Sequence, residues 1–328
     1  MDYSKIESIK ELEKVLPQLS DAYFNDEPIV SDYVFDNLVE KLKKLKPDSL
    51  VLKKIGAPIR DDKKKVKLPY WMGGMDKMKP ATTAMRLFFT KNKAPYFLSD
   101  KIDGAACLLT YSDGKLNGIY SRGESDYGQD LIFLKNYLKI PKKVNIKEDF
   151  YVKGELNVTK KDYQEKFTDE ATKARGVVTG VYNSLEPNIE TLQALVFSAY
   201  ETNIKNKDKK VIKPSEQFKI LESMKFKTPY HRLLNLKESS MITEFLEPYL
   251  NQRKSKSIFE IDGIIVASDY PYEQLKIDNP KHAIAFKVNE EGIETKVLSV
   301  NWEATKHGVL FPTIQIESVV IEGDTIKN

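Results

Sequence analysis

Asp100-Lys101-Ile102-Asp103-Gly104 stands directly before Ala105 to Tyr111, a run of mostly small and apolar residues. Such a run, bounded by the turn signal Ser112-Asp113-Gly114-Lys115, predicts a strand that continues into a hairpin. A Lys-x-Asp-Gly string is common, and by itself it is typical of a surface turn. Its significance therefore depends on the residues further along the chain.

Additional short motifs come after this string, each placed at or near a predicted strand. They are Ser121-Arg122-Gly123, Lys153-Gly154-Glu155, Tyr200 at the end of a strand, Ile261-Asp262-Gly263-Ile264-Ile265 and Ala283-Ile284-Ala285-Phe286-Lys287. So many motifs in one order are hard to obtain by chance. The series indicates one composite site rather than an isolated turn.

Hydrophobic periodicity predicts a mixed fold. Apolar residues three to four positions apart predict two amphipathic helices, from Ile6 to Leu19 and from Val34 to Leu45. Two more helices are expected at Pro214 to Met224 and Ser239 to Gln252. Strands are expected at Phe97-Leu98, Ala105 to Tyr111, Leu116 to Tyr120, Tyr151 to Val158, Leu195 to Glu201, Phe259 to Ala267, Ala283 to Val288 and Lys296 to Trp302. Strands and helices do not alternate regularly, so the sequence predicts an α+β fold rather than a Rossmann arrangement.

Three domains are predicted from these changes of pattern. A helical domain is expected over residues 1–62, and a mixed α/β domain over 63–294, after a lysine-rich link at Asp61 to Lys67. Residues 295–328 are strand-rich but hold fewer strands than the five of an OB-type barrel. This last module is expected to be incomplete.

Composition excludes some classes of protein. No apolar run approaches the roughly 18 to 20 residues that cross a bilayer. The N-terminus does not resemble a signal peptide, and Cys107 is the only cysteine, so a cytoplasmic setting is expected. The net charge of +4 permits nucleic-acid binding without indicating it. Cys107 is predicted to be a buried small hydrophobe.

The ordered motifs resemble those of the NAD⁺-dependent DNA ligases, over essentially the whole chain. The resemblance extends to Asp26 through Asp36, Met72 through Asp76, Ser121 through Asp130 and Lys306 through Pro312. It implies an N-terminal helical domain that binds nicotinamide mononucleotide, an ATP-grasp-like adenylation (nucleotidyltransferase) domain, and the start of an OB domain. NAD is then the source of AMP, and Mg²⁺ is expected to help, although no protein cage for it can be read from the sequence.

The resemblance also implies roles for individual residues. Lys101 would be the catalytic nucleophile, which must be neutral when it attacks phosphorus although a lysine has a reference pKa of about 10.4. The cofactor-binding positions implied are Tyr23, Asp32, Phe35 and Asp36 on the nicotinamide side, Gly74, Met75, Ser99 and Tyr200 around adenine, Arg122 and Glu155 toward the ribose, Asp103 and Arg175 beside the nucleophile, and Asp262 and Lys287 near the α-phosphate.

The chain departs from the family pattern at a few positions. Ser99 stands where a glutamate usually touches the adenine, so adenine reading is expected to pass to Asp100 or to backbone groups. Ala267 replaces a usual lysine, and Phe35 replaces a usual tyrosine. These departures keep two alternatives open, an ATP-dependent polynucleotide ligase and a degenerate, non-catalytic DNA-binding subunit.

The expected partner is nicked double-stranded DNA. Zinc-finger, helix-hairpin-helix and BRCT parts of the family do not come after the OB start here. The sequence therefore leaves two possibilities, a shortened chain or a second chain that carries the OB and DNA-binding modules.

Overall fold

The computed structural model describes residues 3, 6, 8–25, 29–30, 32–53, 65–123, 125–168, 173–184, 187–235, 238, 240–273, 278–288, 294–304, 310–321 and 324–327. The chain forms two compact units, one from residues 1–57, 169–173 and 289–328, the other from 58–168 and 174–288. Each is described by itself. Among the described residues, no helix is both long and apolar enough to cross a membrane.

The first unit begins with helices α1 (Ile9–Asn25), α2 (Asp32–Leu45) and the short α3 (Leu50–Lys53). The two predicted helices are confirmed at these positions. Their buried leucines recur at helical spacing and form one apolar core, because residues three or four apart share a helix face. The core contains Leu12, Leu16, Leu19, Leu38 and Leu42.

The same unit ends in short antiparallel ladders. Strand β12 (Val297–Ala304) pairs with β13 (Leu310–Ile316), and β14 (Val319–Ile321) pairs with β15 (Asp324–Ile326). The strand predicted from Lys296 is thus confirmed. These ladders form no closed barrel within the part of the chain that is described, and an OB domain stays a prediction.

The second unit contains a five-stranded sheet that carries the lysine motif. Its strand order is β2-β11-β10-β3-β9. The bounds are β2 (Lys77–Met78), β3 (Tyr96–Ile102), β9 (His231–Leu233), β10 (Ile261–Ser268) and β11 (Ala283–Phe286). Strand β2 is parallel to β11, and the other pairs are antiparallel.

An antiparallel four-stranded sheet forms the other half of this unit, in the order β5-β4-β7-β8. The bounds are β4 (Ala105–Ser112), β5 (Lys115–Ser121), β7 (Phe150–Asn157) and β8 (Val196–Thr202). Asp113 and Gly114 have positive φ values of 46° and 70°, as the predicted hairpin turn requires. A small ladder joins β1 (Lys65–Lys67) to β6 (Tyr127–Gln129).

Helices cover these sheets. They are α4 (Thr83–Lys91), α5 (Lys160–Lys166), α6 (Ala174–Asn183), α7 (Ile189–Ala194), α8 (Pro214–Ser223) and α9 (Ile242–Lys256), with a 3-10 helix at Ile132–Asn136. Helices α4 and α9 supply residues to the core beneath the five-stranded sheet. Helix α6 packs against β4 and β7, and α8 against β8. The predicted helices α8 and α9 are confirmed, and a mixed α/β fold with them.

The two sheets meet at the lysine motif, where β3 passes into β4 through Asp103 and Gly104. A Cβ atom on Gly104 would lie 2.5 Å from the carbonyl oxygen of Leu156, so only glycine fits against β7 here. The close approach brings the end of β3 beside the inner face of the four-stranded sheet. Charged residues from both sheets can therefore share one site.

Candidate active site

Lys101 lies near the end of β3, and its Nζ atom donates to both carboxylate oxygens of Asp262, each at 2.8 Å. Lys287, which comes directly after β11, places its Nζ 2.7 Å from Oδ2 of the same carboxylate. The side chain of Asp262 is only 14% exposed and that of Lys101 26%. One mostly buried carboxylate is thus shared by two cations.

A β-bulge aims Asp262 at Lys101. In the pairing of β3 with β10, Ile261 is opposite Ile102 and Gly263 is opposite Lys101, so Asp262 is the additional residue between them. A bulge re-aims a side chain without ending the strand. Gly263 is required next to it, since a Cβ atom there would lie 2.5 Å from the carbonyl oxygen of Phe286.

The charge state of Asp262 follows from these contacts. Burial raises the pKa of the carboxyl. Lys101 and Lys287 lower it by more than burial raises it, so the net pKa lies well below the ordinary value. Asp262 is therefore ionised at neutral pH. It acts as a hydrogen-bond acceptor that orients the Lys101 amine.

Asp103 and Arg175 form a second pair beside the nucleophile. The Nη1 atom of Arg175 lies 3.3 Å from Oδ1 of Asp103. Arg175 comes from the first turn of α6. Asn157 holds the backbone of Asp103, with its Nδ2 donating to the carbonyl oxygen at 2.9 Å. The sequence placed both charged residues in the site, and the structure brings them together.

Glu155 lies on β7 between two residues with small side chains, Ala106 of β4 and Ser198 of β8. Its Oε2 atom is buried and has no hydrogen-bond partner among the described residues. Burial raises the pKa of this carboxyl to about 7, while Lys101 and Arg175 oppose that rise. A buried acceptor without a donor is costly, and a ligand hydroxyl would satisfy it.

Arg122 comes directly after β5 and is held by its backbone N–H, which donates to the carbonyl of Ala106 at 3.2 Å. Its guanidinium approaches Gly74, where a Cβ atom would lie 3.6 Å from Nη2. Met75 beside it is half-buried. The predicted positions Gly74, Met75 and Arg122 therefore lie in one neighbourhood.

Tyr200 occupies a second β-bulge. Lys153 is opposite Glu201 and Gly154 is opposite Ala199, so Tyr200 is the additional residue of β8. Burial raises the pKa of its hydroxyl well above the ordinary value, and Glu155, Glu201 and Arg122 are among the charges that act on it. The tyrosine is thus next to the Glu155 and Arg122 side of the site.

Ser99 and Asp100 lie on opposite faces of β3, because side chains alternate along a strand. Ser99 is buried on the face that also carries Lys101. The carboxylate of Asp100 is bound by Arg253, with Nε to Oδ1 at 2.9 Å and Nη2 to Oδ2 at 2.8 Å. The expectation that Asp100 reads the base is therefore wrong.

Sequence reasoning did not identify a polar cluster on β7 and β8. Lys153 Nζ lies 2.6 Å from Glu201 Oε1, and the Tyr151 hydroxyl donates to the same oxygen at 2.8 Å. His282 lies near Glu201 and stacks on Tyr272, with ring centroids 3.3 Å apart. Burial lowers the pKa of His282 to about 4, although Glu201 opposes this. The sequence did hold a signal for this cluster, because Tyr151, Lys153 and Glu155 are two positions apart and therefore share one face of a strand.

The remaining candidate positions lie in the first unit. The side chains of Tyr23, Asp32 and Asp36 are outside the described part of the structure. Phe35 is buried in the core of the helical region. Packing in this core is sufficient to explain an apolar residue at position 35. The assignment of all four positions to cofactor binding stays a prediction.

Cys107 is fully buried in β4, as the sequence predicted. Burial raises the pKa of its thiol well above the ordinary value. It therefore takes no part in the chemistry of the site.

Comparison with known proteins places this geometry in a family context. The family model "NAD-dependent DNA ligase adenylation domain" matches residues 76–291. A DNA ligase of Acanthamoeba polyphaga mimivirus is 36% identical, covering 94% of this chain and 47% of that protein. A DNA ligase of Brachyspira hyodysenteriae is 26% identical, covering 93% of this chain and 49% of that protein.

The chain spans about half the length of these curated relatives. Among solved structures, an ATP-dependent DNA ligase from bacteriophage T7 in complex with ATP has a TM-score of 0.38 and 12% identity. The match covers 77% of this chain and 80% of that one. A likeness this distant carries no functional weight.

Proposed function

This chain belongs to the NAD-dependent DNA ligase adenylation-domain family, and we propose that it transfers AMP from NAD to Lys101. In the whole protein, this transfer is the first step of sealing nicks in double-stranded DNA, with the cytoplasm as the expected location. The observation that carries the proposal is the placement of Lys101. Its amine is oriented by Asp262 and flanked by Lys287, in a site that also holds the unsatisfied carboxylate of Glu155.

The proposed reaction is a substitution at phosphorus. The ammonium of Lys101 first gives up a proton to water, and the resulting neutral amine attacks the phosphorus of the AMP half of NAD, so that a P–N bond forms. The bond from that phosphorus to the bridging oxygen breaks, and nicotinamide mononucleotide leaves with the electron pair. The attacking nitrogen then loses a second proton to water, which gives lysyl-AMP. Lys287 offsets the charge that develops on the transferred phosphoryl group.

Other residues of the site bind the nucleotide in this proposal. Glu155 accepts from a ribose hydroxyl and Arg122 donates to the ribose side, which matches the buried, unsatisfied oxygen of Glu155. Tyr200 stacks on the adenine. Gly74, Met75 and Ser99 border the base, and Asp103 with Arg175 holds the turn beside the nucleophile.

Mg²⁺ fits this site only as a companion of the substrate phosphates. Within the described residues, no three His, Cys, Asp or Glu side chains cluster as a metal site requires. The carboxylate of Asp262 is already bound by two lysines. We therefore derive no step from a protein-held ion, and Mg²⁺ would neutralise phosphate oxygens that arrive with NAD.

The finer domain assignments belong to the proposal. Residues 63–294 would form the ATP-grasp-like nucleotidyltransferase domain. Residues 1–62 would bind nicotinamide mononucleotide through Tyr23, Asp32, Phe35 and Asp36, and residues 295–328 would begin an OB domain. Because the curated relatives are about twice as long as this chain, OB and DNA-binding modules would come from further residues or from a second chain.

Intact-mass measurement after incubation with Mg²⁺ and either NAD or ATP tests the proposal. We expect the mass of one AMP to be gained from NAD and to be removed by acid, and Lys101→Ala to gain none. Equal gain from ATP would favour the ATP-dependent polynucleotide ligase. No gain from either nucleotide would favour the non-catalytic DNA-binding subunit.

A further inference from the structure

A mostly buried ion pair lies next to Glu155 on the same face of the four-stranded sheet. Residues two apart on a strand share a face, so Tyr151, Lys153 and Glu155 form one row along β7. Lys153 is paired with Glu201 of the neighbouring strand, and the side chains are only 13% and 21% exposed. Tyr151 donates to the same carboxylate oxygen.

The stability of the fold does not explain this ion pair. The free energy lost when two charged groups are removed from water is about as large as the free energy gained from their attraction. Apolar residues of similar size would therefore stabilise the core equally well. The pair lies beside the proposed nucleotide site, where it can contact a ligand. A recognition role would account for it.

The bulge at Tyr200 places this pair next to the proposed base position. Glu201 comes directly after Tyr200 and is opposite Lys153. The charges of Glu155, Glu201 and Arg122 all act on the Tyr200 hydroxyl. A base stacked on Tyr200 would therefore have its edge near the Lys153–Glu201 pair.

The groups of the site follow the order of the parts of an adenine nucleotide. Lys287 supplies a cation for the phosphate beside the Lys101 nucleophile, and Glu155 supplies a buried acceptor for a ribose hydroxyl. The Lys153–Glu201 pair comes next along the row. It offers an ammonium donor and a carboxylate acceptor side by side.

Strand β3 offers no carboxylate for the base. Ser99 has none, and the carboxylate of Asp100 is bound by Arg253 on the opposite face. Glu201, in contrast, lies on the face of the site. Burial raises the pKa of Glu201, but Lys153 and Tyr151 lower it below the ordinary value. Glu201 is therefore an ionised, acceptor-only group.

We propose that Lys153 and Glu201 select adenine as the base of the nucleotide, with Glu201 accepting from the 6-amino group and Lys153 donating to N1. The inference rests on the proposed function, because it assumes that AMP binds with its phosphate at Lys101. Hypoxanthine carries an oxygen at position 6 and a proton on N1, which reverses both hydrogen bonds. The site would therefore discriminate between two substrates that differ only at this edge.

The test compares NAD with deamino-NAD, in which hypoxanthine replaces adenine. We measure kcat/KM for formation of the Lys101 adduct with each dinucleotide. The unaltered chain should prefer NAD by about 10- to 100-fold, the range for a good pair of hydrogen bonds to a base edge. Glu201→Gln should reduce that preference to within about threefold, because an amide both donates and accepts. Glu165→Gln, at an exposed glutamate of α5, is the matched control and should keep the full preference.

An equilibrium measurement provides a second readout. Calorimetric titration of the unreactive Lys101→Met chain with NAD and deamino-NAD should give the same ratio of Kd values. The double variant Lys153→Met with Glu201→Gln removes both charges together and covers the case in which the single variant does not fold. Its preference should also be lost.

The outcomes separate the two proposals. Lack of any adduct from NAD overturns the proposed function. Normal adduct formation with equal use of both dinucleotides by the unaltered chain overturns only the base-selection proposal. The same conclusion holds if the preference survives unchanged in Glu201→Gln or in the double variant.

Discussion

Lys101 donates to both carboxylate oxygens of Asp262, at 2.8 Å each, so the proposed nucleophile is oriented before any nucleotide binds. Orientation in advance removes rotational freedom that the reaction would otherwise have to restrict. The same carboxylate also contacts Lys287, which fixes the distance between nucleophile and cation. The chemistry of the site thus depends on one carboxylate more than on any other acidic residue described.

Replacement of that carboxylate, Asp262→Asn, should weaken both folding and reaction. Two mostly buried ammonium groups would lose their counter-charge, which we expect to cost about 3–5 kcal/mol in the free energy of unfolding. Adduct formation should slow by about 100-fold or more, because the amine is no longer oriented. Urea unfolding and intact-mass kinetics measure the two effects.

Lys287→Met leaves Asp262 paired with Lys101, so it should slow the reaction with a smaller loss of stability. Equal stability of Asp262→Asn and the unaltered chain would contradict this view.

The raised pKa of Glu155 predicts a pH dependence of stability. A carboxyl whose pKa is raised on folding stabilises the folded state at low pH, and this contribution is lost as the pH rises from 4.5 to about 7. The Tm of the unaltered chain should therefore fall, relative to Glu155→Gln, across that window. Scanning fluorimetry of both chains at matched ionic strength measures the difference. A difference that does not change with pH would show that Glu155 is not protonated in the folded state.

Replacement by alanine should have opposite effects on stability at two glycines, Gly263 and Gly180. At Gly263 a Cβ atom would lie 2.5 Å from the carbonyl oxygen of Phe286, so Gly263→Ala should cost about 1–3 kcal/mol and displace the bulge that aims Asp262. At Gly180, within α6, a Cβ atom would meet nothing within 4 Å. Gly180→Ala should therefore be neutral or stabilise by up to about 1 kcal/mol. Denaturant midpoints and adduct yields of the two variants compare them directly, and similar losses in both would rule out a special packing role for Gly263.

Asp36→Ala should separate the choice of cofactor from the chemistry. Asp32 and Asp36 are four positions apart in the sequence, a spacing that predicts one shared helix face and suits contact with the nicotinamide half of NAD. Adduct formation from NAD should then slow strongly in Asp36→Ala, since the leaving group is no longer positioned. Sealing of DNA that already carries AMP on its 5′ phosphate should be spared, when any completing partner is supplied. Unaltered use of NAD by Asp36→Ala would show that this helix is not a cofactor site.

The sequence predicted the participants of the site better than their arrangement. Lys101, Glu155 and Lys287 each lie in a short motif on a predicted strand, and local patterns detect such residues. The bulges at Asp262 and Tyr200 depend on how two distant strands pair, and no local pattern determines a register. Asp100 was misjudged for the same reason, because its partner Arg253 is 153 positions away.

Helix α6 shows why some helices were not predicted. Its sequence contains Gly176 and Gly180 together with β-branched residues, a composition that disfavours a helix in isolation. Burial of Val177, Val178 and Val181 decides in favour of the helix. Helix α4 was not predicted either, although Thr82 caps its start and Met85 and Phe88 have helical spacing, which are local signals for a helix.

Cys107, buried at the centre of the four-stranded sheet, is the single cysteine among 328 residues. Thiol reagents react with the exposed thiolate, so the folded chain should resist them, and its modification should report how often this sheet opens. The protein thus carries a native reporter of its own unfolding. A second cysteine introduced on the surface would be modified far sooner, which makes single-site attachment of a probe practical without first removing the natural one.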